Sequence, residues 1–282
     1  MEILVNRERI DFTLEHEKTA GEVVDGLAQW LESGGMAVTA LSIDDEALPI
    51  HDRSPWADIA LDSVTTINVE ALPASQVQQT ALEALDEYLQ LLASCITSGE
   101  ASALADLVTE LPYVRTRIAA FFPDLAVAEK ILDNDKINQG QIPSQVDGTL
   151  AEIERLRAVI DTRIREYVDP DTELLRTLNG LVASVPALRE IPVDLQTGRA
   201  GEAMHTVVQF AELFSRVLRL MPRTDGSRVD RDKVRAFAES LAPHLKEVKE
   251  AIEAEDSVLL GDLMEYEIAP QLDALGELVT SG

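Results

Sequence analysis

The sequence predicts an α+β chain in two parts: a small mixed domain over residues 1–72 and an all-α domain of about seven helices over residues 75–282. Two observations carry this. Apolar residues alternate in short runs as far as Val69, and from Ser75 onward they recur every three to four residues, the periods of strand and helix. The 282 residues, 46% of them apolar, are also enough to build two cores of ordinary size.

Glu2-Ile3-Leu4-Val5 alternates, Asn6-Arg7-Glu8-Arg9 supplies a turn, and Ile10–Leu14 alternates again, which predicts a hairpin. Thr19 followed by Glu22 reads as a capping box. The helix it opens places Val23, Val24, Leu27, Trp30 and Leu31 on one buried face and ends at Gly34-Gly35. A strand at about Val38–Ile43, an acidic turn at Asp44–Glu46, a short strand near Ala47–Ile50 and a last strand at Ile67–Glu70 complete a ββαββ order.

Beyond Ser75, read as an N-cap, the first long helix carries Leu82, Leu85, Leu89, Leu92 and Ile96 and closes at Gly99. A second runs from Ala101 to Phe122 with a bend expected at Pro112. Asp133–Ser144 reads as a loop. Helices follow at about Val146–Val168, with Tyr167 on the apolar stripe, then Thr172–Arg189, Gly201–Met221, Asp230–Ala254 and Ser257–Val279. Shifting the chain by 99 residues lays Gly99 on Gly198, and a shift of 156 lays Ile96 on Ile252. Both offsets suggest helical hairpins built on one plan, arranged as a bundle or a short stack.

The first 72 residues resemble the ubiquitin-like β-grasp family. The resemblance rests on the opening Met1–Val5, on Leu41-Ser42-Ile43 before an acidic turn and Leu48, and on Trp56-x-Asp58-Ile59-x-Leu61 ahead of Ser63–Val69. It implies a protein-docking module whose face would include Ser42, Ile43, Leu48 and Asn68. It does not imply a conjugated modifier, because the last strand runs through Ala71-Leu72-Pro73-Ala74 into a helix where a modifier has a free Gly-Gly tail.

The charge narrows the partners. Fifty-one acids against 24 bases leave −27, which argues against binding DNA, RNA or an anionic membrane face. After Lys249 there is no base at all. Such a surface either solvates the protein or docks on a basic protein partner. No apolar run is long enough to span a bilayer, and Met1–Val5 does not open a signal peptide, so a cytoplasmic protein is expected.

No reactive constellation stands out, and neither catalytic residues, cofactor nor metal are expected. His16, His51, His205 and His244 lack ligand spacing, and the lone Cys95 reads as a small buried hydrophobe. The Asp133–Gly140 loop has Asn138 where a calcium loop needs glycine and Ser144 where it needs the closing glutamate. The densest local feature is Asp262 with Glu265-Tyr266-Glu267, either a partner-facing ridge or a solvated helix face over inward Leu263 and Ile268. Arg223, Arg228, Arg231, Lys233 and Arg235 alternate with acids and are expected to pair internally or with the acidic last helix. The expected function is a non-enzymatic adaptor or scaffold: the N-terminal module docks one protein, and the acidic helical domain self-associates or binds a second. Two alternatives stay open. One is a ligand-binding or catalytic helical domain using scattered residues such as Asp106, His205, Arg216 and Glu265. The other is an acidic mimic of nucleic acid.

Overall fold

Glu2–Val5 (β1) turns back at Asn6 and Arg7, both left-handed at φ 53° and 68°, into the two-residue strand Glu8–Arg9 (β2). Two successive positive-φ residues give a turn whose twist matches that of paired strands. This comes from a computed structural model, which describes residues 1–14, 16–123 and 134–280. The strand expected at Ile10–Leu14 is absent. Pairing ends with the Ile10 amide on the Ile3 carbonyl at 3.1 Å, and the alternation beyond it reflects burial: Ile10 and Phe12 pack on the core, with the Phe12 ring against Gly26.

Helix α1 (Ala20–Ser33) opens on the predicted capping box: Thr19 Oγ1 accepts from the Glu22 amide, and the Glu22 carboxylate accepts from the Thr19 amide. Its next orphan amides are also satisfied, Ala20 N–H by the Ile59 carbonyl at 2.8 Å and Gly21 N–H by that of Ala57 at 3.0 Å. Trp30 departs from expectation at 52% exposed. It lies on the flank of the stripe that buries Val23, Val24, Leu27 and Leu31. Strands β3 (Met36–Ile43), β4 (Glu46–Leu48) and β5 (Thr66–Pro73) complete a five-stranded sheet in the order β2-β1-β5-β3-β4. β1 and β5 run parallel and the other pairs antiparallel. One sheet face buries Ile3, Leu41, Ile43, Ile67 and Val69 in a core shared with α1 and Trp56.

β5 passes straight into α2 (Ala74–Ser98), and Pro73, where the sequence suggested Ser75, holds the N-cap position without a side-chain bond. The second predicted helix is two, α3 (Ala101–Val108) and α4 (Leu111–Phe121), and the break falls at Thr109-Glu110, with Pro112 inside the first turn of α4. There its missing N–H is one the helix start leaves unpaired anyway. Part of the expected loop is helical: Asn134 caps α5 (Asp135–Asn138), whose Ile137 is fully buried; Asp133 lies outside the described residues. Helix α6 (Val146–Val168) follows, tied to α2 by Arg157 on both carboxylate oxygens of Asp86 at 2.9 and 3.1 Å.

Backbone packing divides the chain into two compact units, Met1–Ile164 and Arg165–Gly282. In the second unit α7 (Pro170–Gln196) runs past the predicted end at Arg189 and through Pro186 and Pro192. The buried side chains of Leu188 and Ile191 extend its apolar stripe beyond the first of these prolines. α8 (Ala200–Leu220) and α9 (Arg231–Glu253) pack on the same core, where the Phe210 and Phe214 rings stack 6.2 Å apart and Phe237 meets Phe214 edge-on at 6.5 Å. The last predicted helix comprises α10 (Ser257–Asp262), a π-helical turn at Leu263–Ile268, and α11 (Ala269–Thr280). The turns at Gly99, Gly198 and Glu255, which the two sequence offsets superimpose, share one geometry. Each residue is left-handed (φ 74°, 80° and 53°), and the amides of Glu100, Arg199 and Asp256 reach back to the carbonyls of Cys95, Asp194 and Ala251.

Tyr88 on α2 donates its hydroxyl to the Leu107 carbonyl at 3.0 Å, and burial, helped by the charge of Glu110, pushes the phenol up to about 12. The folded state therefore holds this proton more tightly than the unfolded chain does. Its stabilising contribution is complete below about pH 10 and declines as pH rises toward 12. We expect unfolding in denaturant to become easier over that window and expect Tyr88→Phe to flatten this part of the profile; an unchanged alkaline slope in the variant would refute the assignment.

Candidate interaction surfaces

The strand register fixes what the open face of the sheet presents. Ala47, Ser42, Asn68 and Leu4 stand in one cross-strand row, through the pairs Ser42↔Ala47, Ser42↔Asn68 and Leu4↔Asn68. Ala40 and Thr66 flank that row, and together they floor a concavity of about 400 Å³ edged by Arg7, Asp45 and Glu70. The floor is held from both ends. Asn6 exchanges two hydrogen bonds with the Ala71 backbone (3.1 and 2.8 Å), and Asn68 Oδ1 accepts from the Arg7 amide at 3.1 Å. Asp44 Oδ1 accepts from the amides of Thr65 and Thr66 at 2.8 and 2.7 Å. Arg7 and Glu70 pair loosely across the rim at 3.8 Å.

Two of the four residues expected on a docking face, Ser42 and Asn68, lie here. The other two do not: Ile43 is buried at 6% exposure, and Leu48, paired with buried Leu41, packs against the same core. Successive strand residues point to opposite faces, so Ser42 and Ile43 cannot share one. Leu4, Ala40, Ala47 and Thr66 were missed, although alternation from the buried Ile3, Leu41 and Ile67 places all but Ala47 on this face.

On the last helix of the second unit, Asp262 and Glu267 are exposed and Glu265 partly so, while Leu263 and Ile268 are buried as expected. Tyr266 stands out between the glutamates at 64% exposure, its phenol raised chiefly by the charge of Glu265. Glu267 reaches toward His244 Nδ1 at 4.0 Å.

A buried ion cluster in the same unit was not anticipated from local pattern. Glu166 and Glu173 are 1% and 2% exposed. Glu166 accepts from Arg219 Nε and Nη2, both at 2.9 Å, and lies in ion-pair contact with Arg216 Nε at 2.9 Å, while Glu173 pairs with Arg216, Arg176 and Arg165. Arg223 lies 4.0 Å over the Tyr167 ring and donates to its hydroxyl at 2.9 Å, so Tyr167 serves this cluster more than an apolar stripe. Buried Asp171 accepts from the amides of Asp225 and Gly226 at 3.1 and 3.2 Å, pinning the loop that precedes α9. These carboxylates are engaged by guanidinium and amide donors, an arrangement suited to fixing helices.

Arg216 belongs to the ion cluster, and His205 is exposed on α8 beside Gln209 at 3.0 Å. In the basic cluster Lys233 pairs with Asp230 and Arg235 with Asp232, the internal pairing expected. Among the described residues no group of three or more His, Cys, Asp or Glu is placed to hold a metal ion, and no helix is long and apolar enough to cross a membrane.

Comparison with known proteins locates two domains. Residues 1–73 match the family described as TP0873 N-terminal domain, and residues 173–278 match a Domain of unknown function (DUF8042). An uncharacterized protein of Treponema pallidum (strain Nichols) is similar to this chain, 30% identical over 138 residues that cover 42% of the chain and 69% of the relative. No solved structure matches.

Proposed function

The chain belongs to the family of this Treponema pallidum protein, and from that premise we propose that it is a non-enzymatic adaptor. Its N-terminal module docks one protein through the open sheet face, and its acidic helical part engages a second. The observation that carries this reading is the floor formed by Leu4, Ala40, Ser42, Ala47, Thr66 and Asn68, uncharged in a protein of net charge −27. A concave, uncharged surface costs less to desolvate on binding than a carboxylate-covered one.

The reading treats residues 1–72 as a separable ubiquitin-like β-grasp domain. A ββαββ chain with its first and last strands paired in parallel and one helix across a single face supports that, as does a family match ending at residue 73. It also places the work in the cytoplasm, where a lone buried cysteine stays reduced.

The test is affinity capture from the source cells with the full chain and with Ser42→Arg/Asn68→Arg, whose fold is verified by circular dichroism. We expect a stoichiometric protein partner on the wild type and at least about tenfold less on the variant, the loss of one well-placed contact cluster. Equal recovery on both, or recovery of no protein by either, would overturn the reading.

A further inference from the structure

The second unit carries an apolar surface inside its most acidic region. Val258 on α10 is 72% exposed, the most exposed large apolar side chain among the described residues. Leu259 next to it in sequence is 42% exposed, and Tyr266 (64%) follows two turns on, beyond the exposed Asp262. Beside them lies a crevice of about 80 Å³ walled by Pro192 and Leu195 of α7 and by Val258, Gly261 and Asp262 of α10. Gly261 allows the two helices to meet there, because a Cβ at that position would stand 3.2 Å from the Pro192 Cα. The crevice has room for one short aliphatic side chain, nearly three waters' share of liquid volume.

Glu255, Asp256 and Asp262 border this surface, and nothing after Lys249 can neutralise them from within the same helix. A second copy of the chain would bring the same −27 to the contact, so like charges oppose self-association. An apolar surface with a one-side-chain crevice and a carboxylate border complements a helix that is apolar on one face and basic on the other.

We propose that this end of the helical unit docks a basic amphipathic helix, with one aliphatic side chain in the Pro192–Gly261 crevice and lysines or arginines against Glu255, Asp256 and Asp262. The proposal rests on the adaptor reading and states the chemistry of its second partner.

The test titrates the full chain with a synthetic amphipathic helix of leucine and lysine, and with a charge-matched peptide in which serine replaces leucine. Calorimetry is expected to show one-to-one binding of the first peptide. That binding is expected to weaken at least about tenfold in Val258→Glu and in Asp262→Lys, and to weaken with added salt. Equal binding of the leucine-free peptide would reduce the site to a solvated acidic face. No binding, or unchanged affinity in Val258→Glu, would overturn the proposal, and so would wild-type self-association that Val258→Glu abolishes. Ser42→Arg/Asn68→Arg should leave the titration unaltered. Partner capture through the sheet without peptide binding would remove this site and leave the adaptor reading standing.

Discussion

Replacing Glu166 with alanine is expected to cost the second unit about 3–5 kcal/mol, the usual penalty for breaking a buried ion pair from one side. The carboxylate is 1% exposed, and Arg216, Arg219 and Arg223 converge on it at 2.9, 2.9 and 3.8 Å. Without it, Arg219 loses both of its carboxylate bonds and Arg216 keeps only Glu173. The loss is specific to an uncompensated charge. Glu166→Leu combined with Arg219→Met, which leaves Arg216 on Glu173, should therefore lose less than Glu166→Ala, since replacing both sides of a buried pair with apolar groups is often nearly neutral. Urea unfolding followed by helical dichroism measures both. A Glu166→Ala cost below about 1 kcal/mol would mean the cluster is hydrated and behaves like a surface pair.

The second large effect is expected in the sheet domain, where Trp56→Ala should cost about 3–5 kcal/mol. Trp56 is 2% exposed, and its indole N–H donates to the carbonyls of Pro49 (2.8 Å) and Asp52 (3.0 Å). The ring anchors the segment whose carbonyls at Ala57 and Ile59 receive the first amides of α1. Truncation therefore opens a cavity and loosens the N-terminal end of that helix together. Amide hydrogen exchange reads this directly: protection should fall across Ala20–Val24 and β5 in Trp56→Ala, and less in Trp56→Phe, which keeps an aromatic ring but loses the indole donor. Unchanged protection at Ala20 and Gly21 would show that the segment is held by something else.

Much of the fold was legible in local pattern. Thr19 and Glu22 announced the start of α1 because both partners of a capping box lie within one turn, and Gly99 announced the end of α2 because its left-handed conformation suits glycine. What failed was mostly non-local. The side of the sheet taken by Ile43 and Leu48 depends on register, since a slip of one residue exchanges the faces, and register is set by partners in other strands. Glu166 and Glu173 could not be brought together from local pattern, because the partners they share on another helix, Arg216 and Arg219, lie 43 to 53 residues away. One signal was available: Arg216, Arg219 and Arg223 fall three and four residues apart, so a single helix face gathers three cations in a chain short of them. The strip at Val258 and Leu259 was equally hidden, because apolar periodicity marks a stripe without showing whether anything covers it.

The π-helical turn has a consequence for how its helix tolerates change. Leu260, Met264, Ile268 and Leu272 are all buried, at successive steps of four residues. At about 100° per residue, three such steps would carry an ordinary helix roughly 120° away from its starting direction. The wider turn, closed by the Ala269 amide on the Met264 carbonyl, takes up that rotation. It acts as a phase corrector: losing one residue within Leu263–Ile268 would restore an ordinary helix with Leu260 and Leu272 eleven residues apart and still within about 20° of one direction, whereas gaining one there would swing Leu272 and Leu275 out of the interior.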